Sequence, residues 1–549
     1  MSITAITIEN FKGIADPVSI PIRPITLLFG KNSAGKSTIL QALHYVREVL
    51  EHRRPDPDRT HIGGDAIDLG GFQSLVHRNQ LDRRIRIRIR VAFSLDDDGI
   101  PNNGRIIWPG DDIETRDRVY DLNSVLKLEA AWVEVITAWE EGKGAYIAEY
   151  ATGLNDDELV RLRQSYGLRP ELLSVNADHA IMRSLEDDQD GPGPYDFQQV
   201  FARIRSLYKD HGRQGALKEA FSYLPLNEHG SIIPEPDKPF LVAERLMDPS
   251  LESEEVFWSL ISQALTGPLA ILLQELSGIR YLGPIRDVPP RGYRSPKTPM
   301  ESCWASGLGA WDALVRDPAL VEKTSHYLKN KDALNLGYSI RREQRITIDT
   351  AGEIMAALRR LAAQGKEKDA SELRTMVLDP LEQLPRQLMV QLHDEVSDID
   401  VDPSDIGVGV SQVIPVVVGA LDAGPSENPC RIFAVEQPEL HVHPAVQVAL
   451  GDVFIDAVNG TECTMLIETH SEHLILRLLR RVRESTDGTI SPPAPRLTPE
   501  MLSIVYVQRK KGGIERRGIE ITPLPITEEG EFTRHWPDGF FEERAKELF

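Results

Sequence analysis

The chain has 549 residues, and its 62 basic and 84 acidic residues give a formal net charge of −22. With 41% hydrophobic and 27% charged residues, the composition is that of a folded globular protein. The negative charge excludes a protein that coats nucleic acid through bulk positive charge. No stretch reaches the ~20 apolar residues of a membrane-spanning helix, so no membrane contact is predicted. Cys303, Cys430 and Cys463 are scattered, which argues against a disulfide framework and predicts a cytoplasmic protein.

The first 50 residues predict strands followed by a helix. Residues 3–8 alternate apolar and polar side chains, as a strand does, and residues 18–24 form a second extended segment. Residues 25–29 are short and mostly apolar, which is typical of a strand buried on both faces. This strand runs through Gly30 into a predicted helix at residues 37–50.

The next segments change in character. Residues 83–93 alternate isoleucine and arginine, so they predict a strand whose basic face is either a phosphate-backbone patch or a solvated surface. From residue 96 to residue 280 we expect a mostly helical insertion without a coiled-coil arm. Its helical patterns lie at residues 125–150, 197–223 and 254–276. Beyond it, the sequence predicts a helical stretch at residues 358–384, a strand at 388–393, and a hairpin at 503–507 and 514–521.

A phosphate-binding loop is predicted at residues 30–38, which match G-x-x-x-x-G-K-[ST] between a buried strand and a helix. The glycines let backbone N–H groups and the helix N-terminus face the negative charge of ATP. Lys36 is expected to reach the β- and γ-phosphates, and Ser37 to coordinate Mg²⁺. The predicted nucleotide-binding residues of this loop are Gly30, Asn32, Ser33, Ala34, Gly35, Lys36, Ser37 and Thr38.

The second half of the site is predicted at residues 431–439. A P-loop site needs a metal-holding acid at the end of another buried strand, and four apolar residues here lead to Glu436. We therefore expect Glu436 to coordinate Mg²⁺. The next residue, Gln437, stands where a glutamate usually polarises the attacking water, and an amide cannot accept a proton. Glu439, two residues further on, is a candidate to replace that glutamate.

A third apolar strand is predicted at residues 464–469, with His470 placed at its end to sense the γ-phosphate. The polar residues of both strand ends also allow a different hypothesis, a zinc cluster. Its candidates are Glu436, Glu439, His441, His443, His470 and His473. Their spacing lacks the H-E-x-x-H order, and the phosphate interpretation already explains them, so the sequence favours a nucleotide site.

These motifs together resemble the ABC-type AAA ATPases of the RecF, SMC and OLD group. The resemblance rests on residues 6–13, the phosphate loop, residues 434–444 and residues 469–474. Residues 405–415, which include Ser411, are similar to the signature motif that completes the nucleotide site of the opposite subunit. Residues 281–287 and 536–541 resemble the OLD-like branch without a nuclease domain, which is similar to ATPases of Septu- and retron-type bacterial defence systems.

The resemblance implies an α/β P-loop NTPase fold with an ABC-type ATPase head, an antiparallel β subdomain and the helical insertion. The two halves of the head are residues 1–95 and residues 281–549, which flank the insertion at residues 96–280. Either Gln73 or His77 takes the place of the Q-loop element. Glu436 replaces the usual aspartate, and Gln437 replaces the usual glutamate, which predicts slow hydrolysis.

The resemblance also implies what the protein binds. We expect a homodimer, or a higher homo-oligomer, that encloses two ATP molecules with Mg²⁺ and controls a separately encoded nuclease or other effector. One alternative is a RecF-type repair ATPase that binds DNA directly, so nucleic acid stays open as a partner. Another is a nucleotide-binding scaffold that does not hydrolyse ATP.

Overall fold

The structure is a computed structural model. The residues that it describes are 2–31, 34–54, 56, 58, 67–93, 129–165, 170–182, 187–188, 191–192, 199–200, 202, 232–236, 252–296, 300–346, 348, 352–363, 374–384, 386–422, 429–510 and 518–534. Among these residues, no helix is both long enough and apolar enough to cross a membrane.

The described strands and helices are numbered in chain order. The strands are β1 (Ser2–Glu9), β2 (Val18–Pro21), β3 (Ile25–Phe29), β4 (Ile85–Ala92), β5 (Ala130–Glu140), β6 (Gly144–Leu154), β7 (Asp157–Arg163), β8 (Glu171–Val175), β9 (Asp187–Asp188), β10 (Gly191–Pro192), β11 (Ile279–Leu282), β12 (Tyr338–Ile346), β13 (Arg386–Asp394), β14 (Ile399–Val401), β15 (Ile432–Glu436), β16 (Thr464–Thr469), β17 (Leu502–Arg509) and β18 (Ile519–Pro523). The helices are α1 (Ser37–His52), α2 (Phe72–Leu75), α3 (Glu252–Ser277), α4 (Glu301–Ala305), α5 (Leu308–Arg316), α6 (Pro318–Lys329), α7 (Glu353–Ala363), α8 (Asp379–Gln383), α9 (Val408–Leu421), α10 (Pro444–Asn459) and α11 (Glu472–Thr486).

The sheet that carries the site has the strand order β11-β15-β16-β3-β17-β18. Its neighbours are parallel except for the antiparallel pair β17 and β18. Every residue of β3, β15 and β16 is buried, which explains their continuous apolar runs. Because the carboxyl ends of parallel strands meet at one edge, the residues that follow these three strands come together there. The predicted order of buried strand, phosphate loop and helix is confirmed.

A second sheet is antiparallel in the order β2-β1-β4-β5-β6-β7-β8. The helix predicted at residues 125–150 is wrong, because β5 and β6 occupy most of this range. Nine consecutive residues of β5 are buried, so both faces of the strand are covered and the period-2 alternation that identifies a strand is lost. In the described part of residues 96–280, strands are therefore more extensive than helix. The pattern at residues 197–223 lies almost wholly outside the described residues.

The helix predicted at residues 254–276 is confirmed as α3. It packs against α1 and against strands β1, β4, β5, β6 and β7 of the antiparallel sheet. Buried side chains of α1, α3 and this sheet form one hydrophobic core. The described part of the insertion thus shares a hydrophobic core with the helix that follows the phosphate loop. Removing residues 96–280 is therefore expected to expose this core.

Strand β4 has the predicted apolar and basic faces, and its isoleucines are buried. Its arginines are paired within the sheet: Arg88 lies 2.9 Å from Glu134 of β5, and its guanidinium stacks 3.8 Å above the ring of Trp132. Arg161 of β7 also contacts Glu134, at 2.8 Å. Because the carboxylates offset the basic charge, the ordinary face of an antiparallel strand explains this pattern better than a phosphate-backbone patch does.

The C-terminal half agrees with several predictions. The strand predicted at residues 388–393 is β13, in a small antiparallel sheet with β12 and β14. The predicted hairpin is formed by the antiparallel strands β17 and β18, and residues 511–517 between them lie outside the described residues. Residues 358–384 begin in α7 and end in α8, with residues 364–373 likewise outside.

Candidate nucleotide site

The phosphate loop joins β3 to α1, and two of its glycines are required by their surroundings. A Cβ atom at Gly30 would collide with the carbonyl oxygen of Val507, and one at Gly35, whose φ is +100°, would collide with the side chain of Ile519. Ala34 and Thr38 are buried at the base of the loop. The structure does not describe two further predicted residues, Asn32 and Ser33.

Lys36 connects the loop with the end of β16. Its buried Nζ donates hydrogen bonds to the carbonyl oxygens of Gly30 and Lys31, both at 3.2 Å, and lies 2.9 Å from Nε2 of His470. Burial lowers the pKa of Lys36, and the nearby carboxylates partly oppose that shift. These carbonyls thus engage the ammonium that is predicted to reach the phosphates.

Two carboxylates converge on Ser37. Glu436 ends β15, and its Oε2 lies 3.4 Å from Ser37 Oγ, while Glu468 on β16 accepts a hydrogen bond from the same hydroxyl at 2.6 Å. The strand register pairs Glu436 directly with Glu468. Burial, and then the charge of Glu468, raise the pKa of Glu436 to about 7. The sequence analysis did not assign Glu468 to the site, although it lies near the end of the predicted strand, two residues before His470.

His470 and Glu439 hold the end of β16. Burial and the charge of Lys36 lower the pKa of His470 to about 4, so its ring is neutral at pH 7 and its Nε2 accepts from the ammonium. Glu439 accepts hydrogen bonds from the backbone N–H of His470 at 2.6 Å and from the hydroxyl of Thr469 at 2.9 Å. The carboxylate of Glu439 thus orients His470.

Gln437 sits at the edge of the site in a left-handed conformation, with φ +45°. Its backbone N–H donates to the carbonyl oxygen of Glu468 at 2.7 Å, so the backbone of this turn is fixed against β16. Non-glycine residues with positive φ are uncommon and often occur at functional sites. The backbone of Gln437, the residue predicted to lie next to the attacking water, is therefore held by the neighbouring strand β16.

Arg286 is a second residue that the sequence analysis did not assign to the site. Its guanidinium donates to the carbonyl oxygens of Glu436 at 2.6 Å and Gln437 at 3.2 Å. Gln412, on α9, binds the backbone of Arg286 through both of its side-chain atoms, at 2.7 and 3.2 Å. Tyr281 donates to Oε1 of Glu436 at 2.8 Å. The end of β11 and the segment that follows it therefore connect α9 to the end of β15.

We expect Arg286→Met to lower the free energy of unfolding by about 2 kcal/mol, because one buried and one part-buried carbonyl oxygen lose their donor. Arg291→Met is the matched control, since Arg291 is exposed and pairs with Asp405 on the surface. Denaturant unfolding of both variants measures the difference between their free energies of unfolding. Equal stability of the two variants would show that Arg286 does not hold this turn.

Ser411 lies inside the subunit. It is only 3% exposed, and its Oγ donates to the carbonyl oxygen of Val408 at 2.9 Å. Val408, at the first position of α9, is 59% exposed. In a single subunit the accessible part of the signature segment is thus the start of the helix, and Ser411 lies one turn behind it.

Gln73 lies exposed on the short helix α2, where its backbone carbonyl accepts a hydrogen bond from Asn79 at 2.9 Å. The Nδ1 atom of His77 lies 2.8 Å from the carbonyl oxygen of Lys12. Neither contact involves the phosphate loop, so a Q-loop role for either residue stays a prediction.

The zinc alternative has no support in the described ranges, where no three His, Cys, Asp or Glu side chains come together as metal ligands. His443 instead caps α10, with Nδ1 accepting from the N–H of Ala445 at 3.2 Å. A Mg²⁺ ion bound with phosphates needs only one or two protein carboxylates. The glycine cradle, Lys36 and the two acids beside Ser37 fit Mg-ATP. Ser37 and Glu436 would hold the Mg²⁺, which would supply positive charge to offset the charge of the phosphates.

Among solved structures, this chain is similar to SMC head domains. One is the SMC head bound to the C-winged helix domain of ScpA, with 10% identity, a TM-score of 0.37, and coverage of 96% of this chain and 98% of that chain. Another is the SMC head domain from Thermotoga maritima, with 10% identity, a TM-score of 0.34, and coverage of 96% and 100%. A third, derived from Pyrococcus furiosus, has 11% identity, a TM-score of 0.35, and coverage of 100% and 98%.

Comparison with protein families gives two matches, while no curated protein is significantly similar in sequence. Residues 497–549 match a family described as "Protein of unknown function (DUF3696)". Residues 1–184 and 315–475 match the family described as "AAA ATPase domain", which covers more than half of the chain. This match includes the phosphate loop, Glu436 and His470. The chain belongs to this AAA ATPase domain family and has a P-loop NTPase fold.

Proposed function

We propose that the protein is an ATP-driven switch: two subunits close head to tail around two Mg-ATP molecules and hydrolyse them slowly. The observation that carries this proposal is Gln437 at the position of the general base. Its amide accepts no proton. Glu439, the candidate to replace it two residues further along the chain, is engaged by His470 and Thr469. ATP therefore acts as a latch that keeps the dimer closed until a trigger arrives.

The site of one subunit is completed, in this proposal, by the signature helix α9 of the other. The first turn of a helix presents free N–H groups that favour phosphate. The start of α9 is exposed at Gly407 and Val408, whereas Ser411 is buried behind it. We infer that this helix end, supported by Ser411, faces Gly35 and Lys36 of the second subunit.

The closed dimer controls a separately encoded effector, a nuclease of an antiviral defence system in the cytoplasm. Support for this assignment is the resemblance of residues 281–287 and 536–541 to the OLD-like branch, which is similar to ATPases of bacterial defence systems. The alternative, direct DNA binding of the RecF type, is less favoured because basic side chains of α11 are paired. Arg477 and Arg481 both contact Asp452, at 3.0 and 2.7 Å, and Arg480 contacts Glu484 at 2.6 Å.

The dimer is tested with Val408→Arg. We expect the wild type to double its mass in ATP and Mg²⁺ when hydrolysis is blocked, and the variant to remain a monomer, because an exposed arginine would obstruct the interface. Light scattering after gel filtration measures the mass, and fluorescent ATP measures binding, which should change by less than about threefold. A variant at Ser411 would disturb the helix core instead.

Leu476→Arg is the control for that experiment, since Leu476 is 43% exposed on α11. It should dimerise like the wild type. A wild type that binds ATP and stays monomeric, or a Val408→Arg variant that still dimerises, would contradict the head-to-tail arrangement.

A further inference from the structure

We propose that Glu468 is a second carboxylate ligand of the Mg²⁺ that accompanies ATP, alongside Ser37 and Glu436, and that its charge makes ATP binding depend on the metal. This inference rests on ATP binding at the phosphate loop. It is independent of the dimer and of the effector.

The contacts at Ser37 support this assignment. Its hydroxyl lies 2.6 Å from Oε2 of Glu468 and 3.4 Å from Oε2 of Glu436, so the hydroxyl stands between the two acids. The parallel strands that carry the acids are in register, and the residue facing Glu468 on its other side is Leu28 of β3. A cation bound to Ser37 is therefore within reach of both carboxylates. Mg²⁺ prefers such oxygen ligands and accepts one or two carboxylates besides phosphate.

The charges around Glu468 give the reason for metal dependence. Glu468 and Glu436 are 4% and 8% exposed, so water screens them poorly. The ammonium of Lys36 lies 3.6 Å from Oε1 of Glu468. Arg286 donates to backbone carbonyls, and Tyr281 donates a neutral hydroxyl to Glu436. When Lys36 turns to the phosphates, two buried carboxylates face the anionic ATP, and Mg²⁺ supplies the missing positive charge.

A purely structural role for Glu468, in which it only holds the hydroxyl of Ser37, is the competing explanation. Glu468→Gln distinguishes the metal-ligand role from the purely structural role, because the amide keeps the size of the side chain and an acceptor oxygen but removes the charge. Glu462→Gln is the matched control: it lies just before the same strand, and its side chain is 73% exposed and paired with Arg431.

The first measurement is Mn²⁺ binding by electron paramagnetic resonance, with a non-hydrolysable ATP analogue present. We expect Glu468→Gln to weaken Mn²⁺ binding about 10- to 100-fold, the range found when groups that support a metal site are removed. Glu462→Gln should match the wild type. Glu468→Asp keeps the charge on a shorter side chain, so its Mn²⁺ affinity should lie between those of the wild type and Glu468→Gln. It provides a second variant if Glu468→Gln does not fold.

The second measurement is the ratio of the ATP dissociation constants in EDTA and in Mg²⁺. We expect this ratio to fall at least about tenfold in Glu468→Gln, because Mg-ATP loses a ligand while metal-free ATP loses a repulsive charge. An unchanged ratio with unchanged Mn²⁺ affinity in a folded variant would overturn the proposal. Equal loss of ATP binding in both conditions would also overturn it, since Glu468 would then only support the loop. A wild type that fails to dimerise contradicts the switch and leaves this result intact.

Discussion

Replacing Gln437 with glutamate is expected to accelerate steady-state ATP hydrolysis by roughly 10²–10⁴-fold, the contribution of a positioned general base. The substitution restores a proton acceptor next to the carbonyl that Arg286 holds. The rest of the proposed machinery for phosphoryl transfer is complete, with Lys36 for the phosphates and acids for the metal. The wild type should therefore hydrolyse slowly, and the glutamate variant should open the latch quickly.

Phosphate release at saturating ATP measures this effect. Gln344→Glu is the charge-matched control, because Gln344 is exposed on β12 in the small antiparallel sheet. Two further variants identify any substitute for the base. Glu439→Gln and His470→Ala should each reduce the slow wild-type rate, since Glu439 orients His470 and His470 contacts Lys36.

Three results would change this interpretation. Rapid hydrolysis by the wild type that Glu439→Gln abolishes would make Glu439 the general base and would exclude a latch. A Gln437→Glu variant no faster than wild type would mean that this position does not contact the attacking water. If no variant hydrolyses ATP under any trigger, the non-hydrolysing scaffold replaces the switch.

Lys36→Ala is expected to weaken ATP binding by about 3 kcal/mol or more, which is roughly 100-fold or more, because the phosphates lose charge-assisted hydrogen bonds. The same change removes the cation beside Glu468, which adds repulsion between the site and ATP. Fluorescent-nucleotide titration in Mg²⁺ measures the affinity. Circular dichroism verifies that the variant is folded.

The control for this change is Lys323→Ala, on the exposed surface of α6. This variant removes the same positive charge at a position distant in sequence from Lys36, and it should bind ATP like the wild type. Unchanged affinity in folded Lys36→Ala would mean that the phosphate loop at residues 30–38 is not the nucleotide site.

The features that the sequence determined by itself are those encoded in short segments. The strand at Ile25–Phe29 and the loop after it are recognisable because both faces of a parallel strand need apolar residues and because phosphate needs glycine-rich backbone. The absence of a proton acceptor at Gln437 is likewise a property of one side chain. The sequence singled out Glu436 and His470 as candidates because each follows an apolar run.

Tertiary structure decided what depends on distant pairing. Strand β5 was mistaken for helix because the second face of the strand is covered by other segments, which removes the alternation on which the prediction relies. Arg286 reaches Glu436 across 150 positions of sequence, and Glu468 reaches Ser37 across 431, so no local pattern connects them. Only the parallel register of β15 and β16 shows that two carboxylates meet at one hydroxyl. The burial of Ser411 behind Val408 could not be predicted from the sequence either, because it depends on how α9 packs against its neighbours.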